Sequence, residues 1–373
     1  MMILAAILGI GRSSDAERLE EIDAAMQPFV NDHTVSGVVT LVGQEGSIVH
    51  LGSIGSADLA TGRLMTGDSL FAIASMTKPM TATAMLMLQD EGKLSLDDTV
   101  AKYLPSFAEV KLRNGQRVSP ITLRQLLTHT SGLVGAQLCE ESLAATAEKL
   151  SQRPLGYVPG EKWEYSPGLN VCGRVIEIVS GQSYEDFMTT RIFRPLGMTD
   201  TTFHPTTKQR ERAAVLYKYD QRTSDLTPTE NWLNHGGADS VPNPSGGLFS
   251  TAEDVFRFYQ MILNGGTHDG QQIVSKSAVK AMTTIQTGDL ETGFTPGNGW
   301  GLGWCVIRQP QGVTAMLSPG SYGHGGAFGT QVWVDPVKQR VFVLMIQRDG
   351  LPNSDDSDLR RRFQQSAVDA LEK

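Results

Sequence analysis

The sequence predicts an α/β protein of the α+β type: one antiparallel sheet assembled from both ends of the chain and flanked by the terminal helices, with a mostly helical lobe inserted between its halves. Three observations lead there. Apolar runs separated by turn signals sit near both termini, and each terminus also carries a helical stripe. The middle of the chain reads as helices broken by long Gly/Pro loops. At 373 residues the chain can bury a sizeable core and build two lobes.

The elements follow in order. Ala16 to Phe29 puts Leu19, Ile22, Ala25, Met26 and Phe29 at helical spacing. Gly37–Val42 and Ser47–Leu51 read as paired strands around a turn at Gly43–Gly46. In the middle, Thr122-Leu-Arg-Gln125 and Ser250-Thr-Ala-Glu253 are capping-box patterns that open helices, the second running to about Leu263, and Ser183 caps another helix that ends near Gly197. Toward the C-terminus, Leu302–Ile307, Gly329–Val334 and Arg340–Ile346 read as strands, the last two joined around Asp335-Pro336. Leu359 to Leu371 closes the chain with Leu359, Phe363, Ala367, Ala370 and Leu371 on one helical face. The expected layout is one catalytic domain over residues 15–373. Its sheet lobe comes from about 15–90 and 290–373, and its helical lobe from about 91–289. A cleft between lobes is where chemistry is expected.

Composition removes several classes. The net charge of −8, without a basic stripe, argues against a nucleic-acid partner. No apolar run reaches the roughly 18 residues of a membrane span. Residues 3–10 have the length of a signal-peptide core, but no Lys or Arg precedes them and no A-x-A site follows. The reading is cytoplasmic, with a periplasmic or secreted protein as the alternative if residues 1–14 are a signal remnant rather than a flexible start. Cys139, Cys172 and Cys305 are odd in number and far apart, which fits buried thiols rather than disulfides or zinc. The seven His form no metal-ligand pattern, so neither metal nor cofactor is expected. No G-x-S-x-G elbow, P-loop or Rossmann fingerprint occurs.

Chemistry concentrates in three segments. Phe71-Ala-Ile-Ala-Ser-Met-Thr-Lys78-Pro enters an apolar helix that runs to Gly92, and Pro79 is tolerated only in a first turn. Ser75 therefore sits at a helix N-terminus with Lys78 one turn along on the same face. A desolvated lysine there could take the serine proton; the plain alternative is a capping Ser and a surface Lys. Ser277-Ala-Val-Lys280 repeats the spacing without the apolar approach or the Pro, and reads as a solvated helix turn. Tyr165 precedes an apolar helix through Val171, Val175, Ile176 and Ile178. It could relay protons if cationic lysines lower its pKa, or simply pack with its hydroxyl bonded. Ser321-Tyr-Gly-His-Gly-Gly-Ala-Phe-Gly329 lies directly before a strand. Gly325 and Gly326 there allow close approach of a backbone to a ligand, and His324 could orient it.

Ser75-Met-Thr-Lys78, Tyr165-Ser-Pro167 and His324-Gly-Gly326, in that order, resemble the serine β-lactamase-like superfamily, most of all class C β-lactamases and family VIII carboxylesterases. The resemblance spans about residues 20 to 370. It includes Leu94–Val100 (LSLDDTV), Leu126–Leu133 (LLTHTSGL) and Pro244–Asp254 (PSGGLFSTAED). It implies the β-lactamase/DD-peptidase-like fold and an acyl-enzyme mechanism. Ser75 would be the nucleophile, Lys78 its general base, and Tyr165 a partner sharing protons with Lys78. The N–H groups of Ser75 and Ala327 would form the oxyanion hole. His324, Gly325 and Gly326 would meet substrate. The segments 132–160 and 231–244 are expected to shape the pocket, with Trp232 and Phe328 either lining it and meeting substrate or serving plain packing. The departures choose the substrate. Pro167 replaces an Asn that would bind an amide, and His324 replaces a Lys that would bind a carboxylate. The expectation is a carboxylesterase acting on small-molecule, short-chain esters. A β-lactamase or D-Ala-D-Ala peptidase, an acyltransferase, and a non-catalytic binding protein remain as alternatives.

Overall fold

The computed structural model describes residues 10–372 apart from 221, 224 and 234–239, with side chains from residue 18 onward. Its centre is an eight-stranded sheet. The strands are β1 (Gly37–Gln44), β2 (Ser47–Asp58), β3 (Arg63–Leu64), β4 (Asn298–Trp300), β5 (Cys305–Ile307), β6 (Tyr322–Gly325), β7 (Gln331–Asp335) and β8 (Arg340–Met345). They lie in the order β4-β5-β6-β7-β8-β1-β2-β3, all antiparallel. The two chain ends meet where β1 pairs with β8, Leu41 opposite Val343. The turn between β1 and β2 is Glu45-Gly46, with φ of 51° and 85°. Two consecutive positive-φ residues give the turn twist that a tight hairpin needs.

The strand residues divide by parity. Val38, Val42, Phe342 and Leu344 pack with Ile22, Met26, Leu359 and Phe363 of the terminal helices α1 (Ile10–Asn31) and α2 (Asp358–Glu372). Val39, Leu41, Val341, Val343 and Met345 join a separate core on the opposite face. Side chains alternate with a period of two along a strand, so burial on both faces explains why β1 and β8 read as nearly unbroken apolar runs. Residues 10–14, set aside by the sequence reading as a flexible or leader-derived start, are the first residues of α1. The rest of that segment, 1–9, lies outside the described residues.

Further differences from the sequence reading concern the middle of the chain. Helix Ala252–Leu263, assigned above to the helical lobe, packs on β1 and β8 and covers the sheet face away from the terminal helices. Its cap is Thr251, whose side chain accepts from the Asp254 N–H; Ser250 instead ends a two-residue strand paired with Phe71-Ala72. The segment before β7 is not a loop entry: Tyr322–Gly325 is itself a strand. A Cβ on Gly323 would fall 2.1 Å from the Val332 carbonyl, so contact across the ladder, not propensity, fixes glycine there. The capping box at Thr122 forms as read, with Gln125 bonding back to the Thr122 N–H. All three cysteines are free, and burial pushes the Cys139 thiol up to about 12. No described helix is long and apolar enough to cross a membrane.

The helix that carries the site, Thr77–Asp90, is buried from Thr77 to Leu88. It packs against Gly168–Ser180, Tyr184–Met188 and Lys276–Met282 of the helical lobe. Its hydroxyls are satisfied inside the protein: Thr81 Oγ1 donates to the Pro244 carbonyl at 2.7 Å, and Thr83 Oγ1 to the Pro79 carbonyl at 2.9 Å.

Candidate active site

A tight 3-10 turn, Ala74–Met76, joins the Phe71-Ala72 strand to helix Thr77–Asp90 and holds Ser75 at the helix N-terminus. Ala74 takes φ = 47°, a left-handed conformation that costs a non-glycine residue about 1 kcal/mol or more. The surroundings hold it in place. Ile73 N–H donates to the Leu248 carbonyl at 2.9 Å, and Thr77 Oγ1 donates to the Ala74 carbonyl at 2.7 Å. Ser75 is half-buried and lines a cavity of about 500 Å³ together with Tyr165, Trp232, Phe294, His324 and the Gly325–Ala327 turn.

Lys78 has no exposed surface. Its Nζ lies 3.2 Å from Ser75 Oγ, 2.7 Å from Gln137 Oε1 and 2.6 Å from the Ser245 carbonyl. Among the described residues no carboxylate pairs with it. Burial without a counter-ion pushes the amine well below the usual lysine value. A neutral amine has two N–H bonds and one lone pair. Gln137 Oε1 and the Ser245 carbonyl only accept, so they take the two N–H bonds and leave the lone pair facing the Ser75 hydroxyl. An amine so placed can take the Ser75 hydroxyl proton.

For Tyr165 the sequence leaves two roles open, a proton relay if lysines lower its phenol and a packed tyrosine with its hydroxyl bonded. Burial raises its phenol well above the ordinary value and outweighs the hydrogen bond with Ser75 that lowers it. Lys78 Nζ lies over the Tyr165 ring, 4.6 Å from its centroid, while the hydroxyl is 3.4 Å from His324 Nε2 and neighbours Ser75. His324 Nδ1 lies 2.7 Å from the Gly325 carbonyl, which can only accept. The proton is therefore on Nδ1, and Nε2 is left to accept from the Tyr165 O–H. Burial, then the nearby Lys78, push His324 down to about 3, so it is neutral. Tyr165 thus stays protonated, with its O–H fixed beside Ser75.

The LLTHTSGL segment positions this tyrosine. The His129 carbonyl accepts from the Glu164 N–H at 3.0 Å and from the Tyr157 hydroxyl at 3.1 Å. Its Nδ1 accepts from the Ser166 N–H at 3.1 Å, and its ring packs on Tyr165 with centroids 4.6 Å apart. His129 is fully buried with φ = 58°. The PSGGLFSTAED segment braces the other side through the Pro244, Ser245 and Leu248 carbonyls.

Opposite Ser75, Gly326 N–H donates to the Thr330 carbonyl at 2.7 Å and closes the turn that presents Ala327. A Cβ on Gly326 would meet Thr330 Oγ1 at 2.1 Å and the Ile73 carbonyl at 2.6 Å. This glycine therefore lets the turn approach the Ile73–Ala74 backbone. The Ala327 N–H has no acceptor among the described residues.

Other expected residues divide. Trp232 is 46% exposed at the cavity wall, its Nε1 3.3 Å from Asp349 Oδ1. Phe328 does not line the cavity. It is fully buried among Ala72, Ala74, Leu216 and Leu233, edge-on beneath Trp232, because the Gly326 turn points it inward. Ser277 and Lys280, the second Ser-x-x-Lys, are exposed on a surface helix as read. Of the pocket-shaping loop 231–244, positions 234–239 lie outside the described residues. Sequence reasoning missed Gln137, whose carbonyl is held by Asn170 Nδ2 at 3.1 Å and Asn243 Nδ2 at 3.0 Å, and also missed Phe294 and Asp355. A glutamine in a loop carries no pattern, and these partners are remote in the chain.

Comparison with known proteins fits this geometry. The family described as Beta-lactamase matches residues 22–367. Protein Rv1367c of Mycobacterium tuberculosis is 31% identical over 361 residues, covering 88% of this chain and 90% of that protein. Esterase EstB of Burkholderia gladioli is 30% identical over 360 residues, covering 87% and 89%. Among solved structures, EstCE1, described as a hydrolase with promiscuous acyltransferase activity, superposes with a TM-score of 0.82 at 23% identity, covering 98% of this chain and 100% of its own.

Proposed function

The chain belongs to the Beta-lactamase family of serine hydrolases, and from that premise we propose that it cleaves small-molecule carboxylic esters through an acyl-enzyme on Ser75. The observation that carries the reading is the buried Lys78 amine, 3.2 Å from Ser75 Oγ and held by two carbonyl acceptors, with no carboxylate pairing with it among the described residues. Ser75 Oγ attacks the ester carbonyl carbon while its proton passes to Lys78 Nζ. The Ser75 and Ala327 N–H groups receive the developing oxyanion. As the C–O bond breaks, the proton returns to the leaving alkoxide, with the Tyr165 hydroxyl as carrier. Water then repeats the sequence on the acyl-enzyme, its proton passing to Lys78 and back to Ser75 Oγ as the acid departs. The choice of esters over lactams and D-alanyl peptides rests on Pro167 and neutral His324 standing where an amide and a cation would serve those substrates, and on the EstB relative.

The test is a side-by-side panel of short-chain p-nitrophenyl esters, nitrocefin and a D-Ala-D-Ala peptide, with Ser75→Ala as control. Ester turnover and fluorophosphonate labelling are expected in the native protein and absent in Ser75→Ala, which should keep its circular dichroism and melting temperature. Ester hydrolysis surviving in Ser75→Ala, or preferred turnover of nitrocefin or peptide, would sink the reading.

A further inference from the structure

The chemistry above leaves one wall of the cavity unused, the segment from Asp349 to Asp355. Both aspartates line the cavity, and among its described lining residues there is no Lys or Arg. Asp355 is built into the site. A Cβ on Gly325 would lie 1.8 Å from Asp355 Oδ1, so the missing side chain at 325 is what admits this carboxylate against strand β6. Gln331 Nε2 donates to the same oxygen at 2.9 Å. Arg360 lies behind it: its Nη1 donates to the Asp355 backbone carbonyl at 2.6 Å and its guanidinium lies 3.7 Å from the Trp333 ring centroid, so burial raises the Asp355 carboxyl while the Arg360 charge favours its ionised form. Asp349 Oδ1 accepts from Trp232 Nε1 across the cavity mouth. Among the described residues neither carboxylate forms an ion pair with Lys or Arg. The place beside the oxyanion turn is thus already taken by the protein's own carboxylate.

We infer that Asp355, assisted by Asp349, is a specificity determinant that rejects substrates with a carboxylate beside the scissile bond and restricts the site to uncharged esters. The inference rests on the acyl-enzyme reading above. A second carboxylate entering this cavity meets like charge, the described lining residues offer it no Lys or Arg, Arg360 stands behind Asp355 rather than in the cavity wall, and a partly desolvated site screens the repulsion poorly.

Two phenyl acetates of nearly equal shape test it: 4-carbamoylphenyl acetate, neutral, and 4-carboxyphenyl acetate, anionic. The native protein is expected to favour the neutral ester in kcat/KM by about tenfold or more at low salt, with the ratio shrinking as salt rises. Asp355→Asn should cut that ratio several-fold at fixed salt, and Asp349→Asn by less. A purely structural role would lower both rates and leave the ratio in place. A native ratio near one, or one insensitive to salt and to Asp355→Asn, overturns the inference. If neither ester is cleaved faster than by Ser75→Ala, the acyl-enzyme reading has failed instead. Charge discrimination is then read without turnover, from the affinity of Ser75→Ala for 4-acetamidobenzamide against 4-acetamidobenzoate. Equal affinities overturn the inference in that case too.

Discussion

Lys78 shows how a side chain acquires a role from what surrounds it. Its exposed counterpart Lys280 has the same spacing to a serine and the same intrinsic chemistry. What differs is water: burial removes the solvation that keeps an ammonium protonated, and two carbonyls orient the resulting amine. Lys78→Ala should therefore slow acylation by about 10²–10⁴-fold, the usual worth of a general base. Pre-steady-state burst kinetics with a p-nitrophenyl ester read that step, and an unchanged burst rate would remove Lys78 from the mechanism. Since the base must be deprotonated to act, kcat/KM in the native protein rises with pH through a lysine value depressed from its usual range. Ala74 and His129 make a related point. Both hold left-handed backbone without being glycine, one immediately before Ser75 and one behind Tyr165. Such strain persists only where neighbours over-determine the conformation.

At the scale of elements, the site is a meeting of three segments, each held by another. The 71–78 segment is clamped by 244–250, the 157–166 segment by 129–132, and strand β6 with its turn by β7. Gly326 is the hinge of the last arrangement, since any Cβ there drives Thr330 and Ile73 apart. Gly326→Ala should displace the Ala327 N–H by a fraction of an ångström to an ångström and cost up to about 10²-fold in kcat/KM, in line with the penalty for small misplacement. Comparing kcat/KM with the urea midpoint checks this. Full activity in Gly326→Ala would mean that the turn takes no part in presenting the oxyanion donor.

For the whole molecule, burial of neutral imidazoles couples stability to pH. His324 is held down to about 3 and His129 well below its usual value, whereas unfolded histidine titrates near 6.5. Between these values the unfolded chain binds more protons than the folded one, so stability falls as pH drops from about 6.5 toward 3. A single such group contributes a slope of up to about 1.4 kcal/mol per pH unit within that window. Urea unfolding at several values between pH 4 and 7 should show the decline, and His324→Gln should flatten it; an identical slope would show that His324 is free to protonate in the folded state. Lys78 adds to the same trend at higher pH, since its folded value is depressed and stability there rises with pH up to the unfolded lysine value.

Local and periodic features were legible in the sequence because they are written in neighbouring residues. The helical stripes of both termini, the β1–β2 hairpin, the Thr122 capping box and the Ser75–Lys78 spacing at a helix start all follow from residues within a few turns of one another. The resemblance carried by the three motifs extended that reach to the family. What the sequence could not specify is which distant atoms share a cavity and what water they exclude. Tertiary structure alone decided that Lys78 is held by Gln137 and Ser245, that Tyr165 faces His324 and stays protonated, and that Phe328 turns inward while Asp355 lines the cavity. It also decided that helix Ala252–Leu263 lies on the sheet. The reason is physical: periodicity and capping are local free energies, whereas desolvation and shared hydrogen-bond partners arise only when segments far apart in the chain are packed against one another.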